Sequence, residues 1–168
     1  ADQLLQDKLA CYADACSVQL ETPDENINQA WQVAQLNFQV LQASYPDLPR
    51  YFLAGIPEYP QLFGCDNEYT TVGAIAAGFA DTMRSTLLAL AAYGRQACAR
   101  IPHEITTNGR VFHPGNTQET PQFASACWAY VRWTGDMEFL DDVYALCVEG
   151  LEHQLGVFEH DHYPTGDG

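Results

Sequence analysis

The chain has 168 residues, a length that suits one domain with a substantial core. Its apolar content of 47% and charged content of 17% are typical of a folded globular protein and exclude a disordered one. The net charge of −15, from 22 acidic and 7 basic residues, would repel phosphate backbones, so we expect no nucleic-acid partner. No apolar run approaches the ~20 residues that a membrane span needs, so we expect no membrane partner either.

Helical periodicity dominates the first half of the chain. The first ~20 residues predict one helix, and residues 26–44 predict a second, which Pro46 and Pro49 end. The second helix carries an apolar stripe in steps of three and four residues: Ile27, Trp31, Ala34, Phe38 and Leu41. Residues 69–94 predict a long buried helix, in which many glycines and alanines would let neighbouring helices approach closely.

Two more helices are predicted near the end of the chain, over 119–134 and 136–155. Gly135 suits the end of the first helix and Asp136 suits the N-cap of the second, so the pair would form a hairpin with a tight turn. The predicted fold is therefore all-α, built from antiparallel helical hairpins, with residues 1–168 forming a single helical segment.

Long connections at 46–66 and 96–118 separate these helices, and loops of such length commonly bind ligands or form lids. In and beside them, acidic and amide side chains cluster next to glycine or proline, in segments 64–69, 103–109 and 116–121. This pattern puts carboxylates at helix N-termini, at one end of a bundle. Carboxylates and amides suit a polyhydroxylated ligand, and paired carboxylates suit cleavage of a glycosidic bond. The segments predict a sugar-cleaving enzyme whose partner is an oligosaccharide or polysaccharide.

Two segments resemble a known family. Residues 54–78, AGIPEYPQLFGCDNEYTTVGAIAAG, resemble the segment of the six-hairpin glycosidases in which an aspartate follows an aromatic residue. Residues 101–136, IPHEITTNGRVFHPGNTQETPQFASACWAYVRWTGD, are similar to the next active-face loop and helix in the glycogen-debranching, amylo-α-1,6-glucosidase-like branch. The resemblance, which covers about residues 50–168, implies part of an (α/α)6 toroid within a larger catalytic domain. It also implies inverting hydrolysis of an α-glucosidic substrate, such as a glycogen- or starch-type branch or an oligosaccharide.

The resemblance implies roles for individual residues. Glu119 matches the general-acid position; taken alone, a glutamate in the first turn of a helix would serve to offset the helix dipole. Asp66 matches the aspartate that hydrogen-bonds sugar hydroxyls, and it would also suit an N-cap. Cys65 stands where the family has arginine, which removes a bidentate donor and leaves open whether Asp66 or Glu119 is the acid. The other implied sugar-binding residues are Asn67, Glu68, Tyr69, His103, Glu104, Asn108, Asn116 and Gln118.

No cofactor and no metal are expected. The six cysteines form no CxxC pair, and His153, His160 and His162 match no ligand spacing. A free thiol among apolar helical residues behaves as a small hydrophobe, so the chain is predicted to be reduced and cytoplasmic. Disulfides in a secreted protein are the alternative.

Two other functions stay open on the sequence. One is another six-hairpin activity, such as α-rhamnosidase or trehalase-like cleavage. The other is a non-catalytic α-helical carbohydrate-binding module, in which Asp66 and Glu119 would face solvent separately instead of converging on one concave face. The general base is expected in a later hairpin, because residues 163–168 look like the start of another active-face loop and suggest a longer polypeptide.

Overall fold

The computed structural model describes residues 2–159, which form six α-helices and five short β-strands. The helices are α1 (Asp2–Ala15), α2 (Glu25–Leu41), α3 (Gly64–Ala76), α4 (Ala80–Arg95), α5 (Glu119–Thr134) and α6 (Met137–Glu159). The strands are β1 (Gln42–Tyr45), β2 (Leu48–Phe52), β3 (Leu62–Phe63), β4 (Glu104–Ile105) and β5 (Val111–His113). β1 and β2 form an antiparallel hairpin, while β3, β4 and β5 form a small antiparallel sheet in that order.

The mainly helical architecture is confirmed, although the long connections contain strands that the all-α prediction left out. In the three-stranded sheet, Leu62 pairs with Ile105, and Glu104 pairs with His113. Strands of two or three residues are too short to show a period of two, and their partners lie in different loops of the sequence. The assembly of these hairpins into a toroid stays a prediction.

The helix predicted over 69–94 is in fact two helices, because the chain turns between α3 and α4. Gly78 adopts a φ of 97°, a left-handed conformation that suits glycine at the end of a helix. A Cβ there would also lie 3.2 Å from Val18 Cγ2. α3 begins before residue 69, so Asp66 and Glu68 lie inside its first two turns. Likewise α2 ends at Leu41, and the last residues of its predicted range belong to β1.

The turn between α5 and α6 confirms its prediction. Gly135 has a φ of 72° and donates its N–H to the Val131 carbonyl. Asp136 caps α6, since its Oδ1 accepts from the Phe139 N–H at 2.9 Å, and its Oδ2 accepts from Arg84 Nε at 2.8 Å. The bond from the Phe139 N–H, followed by the bond from Arg84, lowers the pKa of Asp136.

The main core lies among α3, α4, α5 and α6, with β2 packed against α4. Its buried side chains include Tyr51, Leu62, Met83, Leu87, Leu90, Phe123, Phe139 and Val143. Three leucines of α1 lie outside this core and are exposed: Leu4, Leu5 and Leu9. Within residues 2–159, no helix combines the length and the apolar character that crossing a bilayer requires.

Candidate functional site

The three acidic segments meet where α3 and α5 begin. β3 runs directly into α3, and β4, which follows His103, pairs with β3. The Gly64 N–H donates to the His103 carbonyl at 2.8 Å, and the His103 N–H donates to the His113 carbonyl at 3.0 Å. Because α3 also packs along α5, the first turns of both helices and the loop with His103 form one neighbourhood.

Two glycines allow the backbones to approach this closely. A Cβ at Gly64 would overlap the Pro102 carbonyl oxygen, and a Cβ at Gly115 would overlap the Ile101 carbonyl oxygen. Gly115 also has a φ of 95°, a conformation that residues with a Cβ rarely adopt. The sequence shows these glycines beside the acids, but the close contact that requires them is visible only in the structure.

Glu119 is fully enclosed and uses both of its carboxyl oxygens. Oε1 lies 2.8 Å from His103 Nδ1, and Oε2 accepts the Asn116 N–H at 2.6 Å. The carboxylate thus ties the loop that precedes α5 and orients the imidazole of His103. The His103 side chain is 28% exposed, so a partly exposed imidazole contacts the enclosed Glu119. The rings of Phe63 and His113 pack against it, with centroids at 5.6 and 5.1 Å.

Glu68 is nearly as buried as Glu119 but has very different surroundings. Its exposed fraction is 2%, and neither carboxyl oxygen has a hydrogen-bond partner. Burial, and to a lesser extent the negative charge of Glu119, raise the pKa of Glu68 to about 9. The structure therefore contains two neighbouring carboxyl groups in unlike environments, one with hydrogen-bond donors and one without.

Cys65 connects this buried pair to an exposed carboxylate. Burial, and then the charges of Glu68, Glu119 and Asp66 in that order, raise the pKa of the Cys65 thiol to about 11. A thiol with so high a pKa is not a reactive thiolate at neutral pH. The charges that act on Cys65 thus include those of three predicted site acids, Glu68, Glu119 and Asp66.

Asp66 and Tyr69 are exposed on α3, on the wall of an open cavity of about 380 Å³. Phe38, Leu41 and Phe52 form its apolar lining. A carboxylate and a phenol beside apolar side chains can bind a polyhydroxylated ligand through its hydroxyls and its apolar face. Glu119 does not open onto this cavity, because its side chain is enclosed by protein. The structure thus places Asp66 and Glu119 in one region but not on one open surface.

Asn67, predicted to bind sugar, joins three parts of the protein. Its Nδ2 donates to the carbonyls of Phe52 at 3.0 Å and Phe63 at 2.9 Å. Its Oδ1 accepts the Phe52 N–H at 3.2 Å. With its side chain buried and both amide hydrogens in use, Asn67 holds β2 and β3 against α3.

The remaining predicted site residues occupy several places. Glu104 lies in β4, and Asn108 lies exposed in a turn, where its Oδ1 accepts from Thr106 Oγ1 at 2.6 Å. Gln118 is exposed just before α5. Asn116 reaches Glu119 through its backbone, and its own Oδ1 is buried without a partner. Only His103, Asn116 and Glu119 are joined directly by hydrogen bonds.

In the described part of the chain, no group of three or more His, Cys, Asp or Glu side chains is placed to hold a metal ion. His160, His162 and the predicted loop at 163–168 lie outside the described residues. All six cysteines are free thiols, including Cys127 in α5 and Cys147 in α6, whose sulfurs share a hydrogen bond. No family model, no curated protein and no solved structure matches this chain.

Proposed function

We propose that this protein is a glycoside hydrolase that cleaves an α-glucosidic bond of an oligosaccharide or polysaccharide with inversion. The observation that supports the proposal is the cluster of Glu68, Glu119 and His103 where α3 and α5 begin. Two carboxyl groups in unlike environments are the arrangement by which enzymes separate proton-donating from charge-bearing roles. Here one carboxyl has two hydrogen-bond contacts and the other has none.

In this proposal, Glu119 and His103 deliver the proton together. Glu119 is enclosed, and the imidazole of His103 that it contacts is partly exposed to solvent. The Glu119 carboxylate would hold the proton on Nδ1 of a cationic His103, while Nε2 releases its own proton to the leaving oxygen of the glycoside. The second carboxylate, which activates water across the sugar, is proposed to lie outside residues 2–159.

Sugar recognition falls to the exposed residues beside the cluster. Asp66 would accept hydrogen bonds from hydroxyl groups, and Tyr69 would offer a ring face and a phenol. Both residues line the same cavity as Cys65, which precedes Asp66 in the sequence. After burial, the charges of Glu68, Glu119 and Asp66 raise the pKa of Cys65. The proposed contacts and the proposed proton donor therefore belong to adjacent turns of α3 and α5.

A carbohydrate-binding module without catalysis is the second candidate function. The observation in its favour is that Asp66 is exposed whereas Glu119 is enclosed, so the two carboxylates do not face one open space. A module would bind sugar through Asp66 and Tyr69 and would use Glu119 only to hold the loop before α5.

Replacement of Glu119 by glutamine separates these functions. In a hydrolase, Glu119→Gln keeps the shape but removes the negative charge that stabilises the cationic His103, so turnover should fall by ~10²–10⁴ while sugar binding persists. Turnover is measured as the release of reducing sugar from malto- and isomalto-oligosaccharides, and binding of the same ligands is measured by calorimetry. Both measurements use the full-length native protein. Glu149→Gln, at an exposed position of α6, is the matched control and should change neither quantity.

The outcomes are distinct. If Glu119→Gln retains the turnover of the unmodified protein, the acid assignment is wrong and Asp66 is the next candidate. If the unmodified protein binds these sugars but cleaves none, the binding module replaces the hydrolase. Asp66→Asn should weaken binding and turnover together, because a hydroxyl contact is made in both the ground state and the transition state.

A further inference from the structure

Glu68 is a buried carboxyl group to which the proposed reaction gives no role. It lies in the second turn of α3, the helix that packs along α5, and its exposed fraction is 2%. Neither of its oxygens accepts a hydrogen bond from the protein. An ionised carboxylate without donors in an apolar interior is strongly unfavourable, whereas the neutral acid costs far less.

Glu119, its neighbour, is built for the opposite state. One oxygen lies at hydrogen-bond distance from His103 Nδ1, and the other accepts the Asn116 N–H. Donors aimed at both oxygens of a carboxyl group favour its ionised form. When two carboxyls interact and only one has donors, a single negative charge resides on that one and the proton stays on the other.

We propose that Glu68 and Glu119 act as a one-charge pair, in which Glu68 holds the proton and is a positioning residue for Glu119. The neutral Glu68 allows the charge on Glu119 to remain in a buried place without a second negative charge beside it. Glu119 then keeps one orientation toward His103, which sets Nδ1 as the protonated nitrogen of that imidazole when it is neutral.

The other titratable groups around Glu68 do not alter this assignment. Cys65 and Asp66 share α3 with it, and Cys127 faces it from α5. Burial raises the pKa values of both thiols, so each is neutral at pH 7 and neither adds a charge beside Glu68. His103 makes its short contact with Glu119 and not with Glu68. Burial and the charge of Glu119 accordingly raise the pKa of Glu68.

The catalytic meaning of the pair rests on the proposed function, but its protonation does not. A direct test is carbon NMR of the chain labelled at the glutamate carboxyl carbons, titrated from pH 4 to pH 10. We expect one glutamate to stay protonated at pH 7 and to titrate near pH 9. That signal should vanish in Glu68→Gln and remain in the exposed control Glu149→Gln.

A second variant tests the coupling between the two groups. In Glu119→Gln the neighbouring charge is gone, so the Glu68 signal should titrate at a lower pH than in the unmodified chain. The His103 nitrogens, read by ¹⁵N NMR, should show Nδ1 protonated and Nε2 unprotonated when the ring is neutral.

Three results would overturn the proposal. They are the absence of any protonated glutamate at pH 7, a protonated signal lost in Glu119→Gln but kept in Glu68→Gln, and a Glu68 titration that Glu119→Gln leaves unchanged. The first is read from the unmodified chain, so it does not depend on the folding of a variant. None of these readings requires turnover, so a protein that cleaves no sugar would refute the hydrolase and leave the one-charge pair standing.

Discussion

Replacement of Glu68 by glutamine should make the protein more stable at neutral pH, and the gain should increase with pH. Glutamine keeps the shape of a neutral glutamic acid but takes up no proton. The pKa of Glu68 is raised from 4.5 to about 9 in the folded protein, mainly by burial. The folded state therefore binds the proton more tightly than the unfolded state does.

The sign and the size of the effect follow from this linkage. The stabilising contribution of the bound proton is complete below pH 4.5 and is lost as the pH rises toward 9. In that window each pH unit lowers the free energy of unfolding by about 1.4 kcal/mol. At pH 7 the loss amounts to about 3 kcal/mol, which glutamine avoids. An amide without a hydrogen-bond partner costs about 1–3 kcal/mol at every pH. The pH dependence of the difference in free energy of unfolding therefore tests the prediction better than its value at one pH.

Urea unfolding followed by circular dichroism at pH 5, 7 and 9 measures the slope. The free energy of unfolding of Glu68→Gln, minus that of the unmodified chain, should increase across this range. Glu58→Gln, an exposed glutamate in the loop before α3, is the control and should show no such trend. A difference that stays constant with pH, or that falls, would show that Glu68 is ionised in the folded protein and would refute the reasoning.

Three further substitutions test contacts that hold the fold together. Asn67→Ala removes three hydrogen bonds in a buried place, so the free energy of unfolding in urea should fall by about 2–4 kcal/mol. An unchanged free energy of unfolding would contradict the structural role of Asn67. Gly115→Ala forces a Cβ into the Ile101 carbonyl oxygen, whereas at Gly135 a Cβ meets open space. Gly115→Ala should therefore lower Tm more than Gly135→Ala does. Equal shifts in Tm would contradict the close approach of the two backbones at Gly115. Asp136→Ala removes the N-cap of α6 and the partner of Arg84, so Tm should fall in calorimetric scans at pH 7. The pKa of Asp136 is lowered, so Asp136 stabilises the fold above the ordinary aspartate pKa, and this stabilisation is lost as the pH falls. The Tm of Asp136→Ala should therefore approach that of the unmodified chain in strong acid.

Local patterns in the sequence predicted the helices well where the causes are local. The turn at Gly135 and Asp136 depends on a left-handed glycine and a side-chain cap, both of which act within a few residues. The sequence did not predict the break at Gly78, because a glycine by itself does not end a helix. Gly73, a few residues earlier, lies inside α3 without breaking it. A glycine in an alanine-rich helix is compatible with either outcome, and contacts with distant residues such as Val18 decide it.

The sheet of β3, β4 and β5 shows a different limit. Leu62 and Ile105 are far apart in the chain, and each strand is too short to have its own pattern. Their pairing depends on the packing of α3 and α5, which brings the two loops to the same place. Sequence alone therefore predicted functional loops at these positions but not their hydrogen bonding.

Because periodicity and capping act over a few residues, the amino-acid sequence predicted the mainly helical fold, the hairpin of α5 and α6, and the clustering of acids at two helix starts. It could not rank Asp66, Glu68 and Glu119, which are all acids near the start of a helix. The packing of the helices and loops leaves Asp66 exposed, gives Glu119 its hydrogen-bond contacts from the loop before α5, and buries Glu68 without any. The physical reason is that the charge of a carboxyl group depends on the solvent and the donors around it, and helix packing supplies both.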